Sequence, residues 1–143
     1  SKIKILFMLY LTRRETFSAS HRLFRPELSD EENFQIFGKC SSPNGHGHNY
    51  VLEVVVSGKV NNETGYVLDL KELKKIIHKY VIDKVDHKNL NVDVDFMKGI
   101  IPSAENIAIG IWNQLVDKIP SGNLYSVKLY ETEKNYVEYK GEE

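Results

Sequence analysis

The chain has a single cysteine, Cys40, among its 143 residues. An intrachain disulfide is therefore excluded, and a reducing compartment, the cytoplasm, is the expected location. Long hydrophobic runs are missing too. The run "ILFMLYL" at 5–11 falls far short of the roughly 20 apolar residues of a membrane helix. It ends in Thr12-Arg13-Arg14-Glu15, not in the small residues of a signal-peptide cleavage site. Neither a membrane span nor a leader is expected, and Met8 is a candidate native start. There is no excess of either charge: Lys and Arg number 19, Asp and Glu 20, for a net charge of −1. Nothing here selects nucleic acid or an anionic membrane as partner. No internal repeat or low-complexity block is present. The length fits one domain, 1–143, able to bury a core without staples.

The periodicity of what is there changes along the chain. Residues 7–21 are rich in β-branched and aromatic types and predict a strand. Residues 22–45, with Pro26, Gly38, Pro43 and Gly45, lack a period and read as a long loop, a feature often functional in a small domain. Residues 46–57 alternate, with His46, His48, Tyr50, Leu52, Val54 and Val56 on one face. "NNETG" (61–65) signals a turn, and "YVLDL" after it is expected to extend the returning strand. From Asp69 the apolar residues Leu70, Leu73, Ile76, Ile77, Tyr80 and Val81 form a helical stripe, opened by a capping box of Asp69 and Glu72. A second helix should run from Ser103 to about Ile119 with Ile107, Ile111 and Leu115 inward. "LYSVKLYE" (124–131) and "NYVEYK" (135–140) predict two paired strands. The order strand, strand, helix, helix, strand, strand predicts an α+β domain, an antiparallel sheet with helices on one face. The bare face and edges of so small a sheet need cover, which predicts oligomerisation.

"NGHGHNY" (44–50) is the most informative stretch. Side chains at i and i+2 of a strand share a face, so His46 and His48 project together and can chelate one ion. His21 ends the first strand on the parity of Phe17 and Ala19, and a hairpin-like pairing brings it to the same face. Three neutral imidazoles suit zinc and leave a coordination position open, the mark of a catalytic site. A structural zinc wants a fourth ligand, and Cys40 is the obvious one, so two readings compete for that residue. "DHKNL" (86–90), after the first helix, sets Asp86 beside His87, a pairing that is weak on its own. Glu131, placed on one strand face with Tyr125, Val127 and Leu129, is either a satisfied acid or a ligand anchor.

Taken together, "FSASHR" (17–22), "FGKC" (37–40), "NGHGHNY" (44–50), "DHKNL" (86–90), "SAEN" (103–106) and "YET" (130–132) resemble, in this order and spacing, the 6-pyruvoyltetrahydropterin synthase family. "LSDEEN" (28–33) and "YKG" (139–141) look like the animal-type enzymes. The resemblance runs from about residue 13 to Gly141, and the first dozen residues carry none of it.

The resemblance implies a tunnelling fold, a four-stranded antiparallel sheet with two helices between strands two and three. It implies trimeric barrels stacked as a homohexamer. It implies conversion of the pterin substrate 7,8-dihydroneopterin triphosphate to 6-pyruvoyl-tetrahydropterin with release of triphosphate, in tetrahydrobiopterin biosynthesis. By resemblance, His21, His46 and His48 bind zinc. Cys40, Asp86 and His87 carry proton transfer, and Glu131 anchors the pterin and is sometimes assigned to the relay. Cys40 and the Asp86–His87 pair are expected from different subunits. Where the vertebrate-type pattern has Thr-Thr-Glu-Asn, this chain has Ser103-Ala104-Glu105-Asn106. Ser103 and Glu105 stay as substrate-binding candidates, and a hydroxyl contact at 104 is lost. Cations for the triphosphate are sought among Arg22, Lys39 and Lys88. Three rivals stand beside this reading: a 6-carboxytetrahydropterin synthase on the same fold, a non-catalytic zinc module with Cys40 as fourth ligand, and a catalytically decayed pterin-binding regulator.

Overall fold

The computed structural model describes residues 7–142. Residues 5 and 6 of the N-terminal apolar run, and the outermost ends of the 1–143 domain, lie outside them.

Two fourteen-residue strands, β1 (Met8–His21) and β2 (His46–Lys59), are paired antiparallel along their whole length. β4 (Asn123–Tyr130) pairs with the other side of β2, and β5 (Tyr136–Tyr139) with β4. These are the four expected strands. A fifth, β3, is only Lys88–Asn89 and runs parallel to Ala19–Ser20, giving the order β3-β1-β2-β4-β5.

Helix α2 (Leu70–Ile77) continues through a π-helical turn (His78–Ile82) into the short α3 (Asp83–Val85). α4 (Ala104–Leu115) follows a Ser103 cap whose hydroxyl accepts the Asn106 N–H. The helices pack on one face of the sheet. Leu73, Ile77, Ile107, Ile111 and Leu115 bury completely against Leu52, Val54 and Val56, where removal from water is worth about 1.5–3 kcal/mol per side chain. No helix among the described residues is long and apolar enough to cross a membrane.

Several expectations are corrected. The 22–45 segment is not all loop: it holds α1 (Asp30–Phe37) and a 3-10 turn (Gly38–Ser41). α1 buries only Asn33, so it has no apolar period to detect. It forms because Ser29 and Glu32 make a reciprocal capping box and because Asn33 ties down the preceding turn. The Asn33 amide donates to the carbonyls of Arg25, Leu28 and Ser29 and accepts from Arg25 N–H.

Residues 66–69 do not extend a returning strand. Both edges of β2 are already taken by β1 and β4, so the segment has no ladder to join. Val67 and Leu68 turn inward as a buried plug instead. Asp69 caps α2 through the Lys71 N–H. α4 stops at Leu115, short of Ile119. A bulge opposite Val55/Val56 shifts the β4 register. Leu124 and Val127 are both buried, and Tyr125 is turned to the outer face, edge-on to Tyr10. Tyr125 therefore does not share a face with Val127 and Leu129.

Candidate metal centre and active site

The β1–β2 ladder places His21 opposite His46 and Ala19 opposite His48. All three imidazoles then fall on the helix-side face at one end of the sheet, with one nitrogen from each ring lying within 4.8 Å of the others. Gly45 makes the approach possible. Its φ is +71°, and a Cβ there would stand 2.9 Å from the His21 carbonyl oxygen, closer than side-chain carbons come. Gly47 has its nearest contact at 3.5 Å and lies on the opposite face of the strand, so it does not open the space between the rings.

The protonation states follow from the partners. His21 is 1% exposed, and its Nδ1 is 2.7 Å from the Pro102 carbonyl oxygen. A carbonyl only accepts, so Nδ1 carries the proton and Nε2 keeps a lone pair. That Nε2 is 3.2 Å from His46 Nε2. His48 Nε2 is buried with no hydrogen-bond partner and stands 3.6 Å from a Glu131 carboxylate oxygen. Burial pushes the His21 and His48 imidazoles below their usual range, against the opposing pull of Glu131. Ring nitrogens converging on one point, one of them without a partner, fit a divalent cation, which supplies the missing acceptor of electrons. Beneath the cluster Tyr50 is fully buried, stacked on Phe17, with its hydroxyl 3.3 Å from His21 Nδ1. Burial, then the Glu131 charge, pushes that phenol up, so it stays protonated.

Glu131 sits one residue beyond β4 and shares a cavity of about 180 Å³ with Ala104, Glu105, Asn135, Tyr136 and Val137. The first turn of α4 therefore brings Glu105 to the same recess. Ser103 uses one lone pair as the helix cap, and its hydroxyl proton is left for another acceptor.

Asp86 and His87 form a separate group. Asp86 accepts the Ser18 N–H at 2.9 Å and lies 3.1 Å from His87 Nδ1. The Ser18 bond, then His87, holds the Asp86 carboxyl below its usual range against its slight burial. His87 is the one non-glycine residue with positive φ, +61°, among the described residues. Its N–H donates to the Ser18 carbonyl at 2.6 Å, so both bonds to β1 offset the cost of that backbone. The His87 ring, 82% exposed, lines a groove of about 530 Å³ with Ser18, Ser20, His48, Asn49, Lys88 and Asp93.

Cys40 lies half-buried in the 3-10 turn, which is fastened to the end of β1 by Leu23 N–H to the Cys40 carbonyl and by Arg22 Nε to the Ser41 carbonyl. Its sulfur is not part of the three-histidine cluster. Arg22, one of three cations considered for phosphate, is engaged by Ser41, by Asp30 and by stacking on Phe24. Sequence reasoning missed Pro102, whose contribution is a backbone oxygen, and α1, whose signal was the Ser29–Glu32 spacing inside "LSDEEN".

The sequence profile of the 6-pyruvoyl tetrahydropterin synthase family matches residues 10–142. The chain is 52% identical over 132 residues to the 6-pyruvoyl tetrahydrobiopterin synthase of Dictyostelium discoideum, covering 92% of this chain and 96% of that one. To the human enzyme of the same name it is 49% identical over 132 residues, covering 92% and 91%. The solved structure of Caenorhabditis elegans 6-pyruvoyl tetrahydropterin synthase superposes with a TM-score of 0.90 at 42% identity, covering 98% of this chain and all of that one. With the family's profile spanning nearly the whole sequence and its fold reproduced end to end, the chain belongs to the 6-pyruvoyl tetrahydropterin synthase family of enzymes.

Proposed function

We propose that the protein is a zinc-dependent lyase that converts 7,8-dihydroneopterin triphosphate to 6-pyruvoyl-tetrahydropterin and triphosphate, for tetrahydrobiopterin synthesis in the cytoplasm. The observation that carries the reading is the cluster of three imidazoles, with an unpartnered His48 Nε2, set 3.6 Å from Glu131. Family membership supplies the reaction.

His21, His46 and His48 would hold the zinc. Bound there, zinc acts as a Lewis acid that makes the C–H and O–H groups of the substrate side chain easier to deprotonate. The reaction redistributes hydrogens within the substrate while triphosphate leaves, so no external reductant is consumed. Cys40, as thiolate, removes the proton from carbon. His87 relays protons, with Asp86 fixing its tautomer. Glu131 accepts two hydrogen bonds from the amino and ring N–H groups of the pterin. Ser103 and Glu105, at the start of α4, complete the recess. The Asp86–His87 pair acts on the substrate of a neighbouring subunit in a homohexamer of two trimers, which also covers the bare sheet face. A free thiol in this role needs a reducing compartment, consistent with the cytoplasm.

Incubation with dihydroneopterin triphosphate and zinc should yield the 6-pyruvoyl product. A 6-carboxy product would instead assign the related reaction. His48→Ala should lose metal and turnover together. Full zinc content in that variant would remove the ligand assignment.

Cys40→Ala should retain one zinc and bind substrate, with turnover lower by roughly two to four orders of magnitude, the usual share of general acid–base catalysis. Loss of zinc would make Cys40 a ligand, and near-normal turnover would end its role as base.

Glu131→Gln replaces one acceptor by a donor at constant shape. A charge-assisted bond is worth about 1.5–3 kcal/mol, so substrate binding should weaken at least tenfold. Unchanged affinity by titration would count against the anchor.

Light scattering should give six chain masses. A fully active monomer would refute the hexamer.

A further inference from the structure

The turn that leads into α4 is braced more firmly than a helix start requires. The Ile101 carbonyl accepts two donors, the Ser103 N–H at 2.8 Å and the Asn106 amide Nδ2 at 2.9 Å. An i to i+2 bond around a central residue is an inverse γ-turn pattern, and the proline ring suits it by fixing φ near −65°. Asn106 holds the turn a second time, through its own N–H to the Ser103 hydroxyl at 3.2 Å. The amide must present its NH2 to Ile101, because a carbonyl can only accept. The Pro102 carbonyl, at the centre of the turn so braced, meets His21 Nδ1 at 2.7 Å.

We propose that Asn106 is a positioning residue for the metal centre. It clamps the Ile101–Pro102–Ser103 turn, the Pro102 carbonyl holds the His21 Nδ1–H, and His21 Nε2 is thereby aimed at the point shared with His46 and His48. The inference rests on the reading of those three histidines as metal ligands. It has a second consequence. The helix that begins at this turn carries Glu105 into the recess of Glu131. One peptide unit therefore links the position of the metal to the position of the carboxylates on the pterin side.

Asn106→Asp separates this role from simple helix support. Position 106 is the third residue of α4, where a carboxylate is favourable to the helix dipole, and the backbone bond to Ser103 is unaffected. Only the amide donor is lost, replaced by an oxygen that repels the Ile101 carbonyl. The dissociation constant for zinc, measured by chelator competition, should rise about 10- to 100-fold, as for other groups that orient a ligating histidine. The melting temperature of the metal-free protein should hold or rise. The His21 Nδ1 proton, followed by nitrogen-15 NMR of the metal-free protein, should lose its protection from exchange. Asn106→Ala, which adds no charge, should raise the zinc dissociation constant in the same direction. Zinc affinity equal to wild type in both variants overturns this proposal alone. A fall in metal-free stability with the Nδ1 proton still protected also overturns it, by making Asn106 a helix support. Wild-type protein that takes up no zinc overturns the proposal and the ligand reading together.

Discussion

The pairing register of β1 against β2 is the constraint on which the site depends. His21 faces His46 across the ladder, and the three imidazoles meet only because each lies on the inward parity of its strand. A slip of one residue would turn the whole inward set to the other face. The register is held by the apolar residues that share their parity, from Tyr50 beneath the cluster outward along the strands. Phe17, Tyr50, Leu52, Val54 and Val56 are all buried on that face, so a slip would expose each of them at a cost of about 1.5–3 kcal/mol per side chain. Core packing and ligand geometry are one constraint, read at two ends of the same strands.

The electrostatics of the cluster follow from where it sits. Burial disfavours charged imidazole, which keeps His21 and His48 in the neutral form a metal needs. Glu131 opposes this, and its place at the rim lets one carboxylate face both His48 and the recess with Glu105. His21 is the most constrained of the three rings, with a backbone acceptor on one nitrogen and a neighbouring imidazole on the other.

Much of this was legible in the sequence because it is carried by period and spacing. The i, i+2 histidines, the parity of His21, the helix start at Ser103 and the inward stripe of α4 are all local patterns, and each appears where the pattern put it. What was not legible depends on partners that no side-chain pattern encodes. β4 was misread at Tyr125 because a bulge is set by the neighbouring strand. Residues 66–69 were misread as strand because the free edge they would need is taken by β4, which arrives some sixty residues later. α1 was missed because it buries Asn33 and leaves Phe34 and Ile36 exposed, 60% and 58%. Its caps and its asparagine hold it, not an apolar face. The positive φ of His87 was not legible, since histidine is enriched there only weakly compared with glycine.

The reactive groups of one chain are divided between the two faces of the sheet, with His48 also bordering the groove of His87 at its edge. Ser18 and Ser20 alternate with the buried Ala19 and His21, so they face outward, and the groove that takes His87 is built on them. The three imidazoles lie on the inward parity, with His21 buried against the Pro102 carbonyl ahead of α4. The Asp86–His87 pair is bound to the Ser18 backbone by two hydrogen bonds, and a backbone so held cannot carry the ring around the sheet edge without breaking both. Among the described residues no hydrogen bond or ion pair joins Cys40 to Asp86 or His87. This separation is what favours the proposal that a neighbouring subunit presents the pair to the substrate. Among the described residues the helices α2 to α4 pack on the inward face, and Ser18 and Ser20 on the outward face are only partly buried.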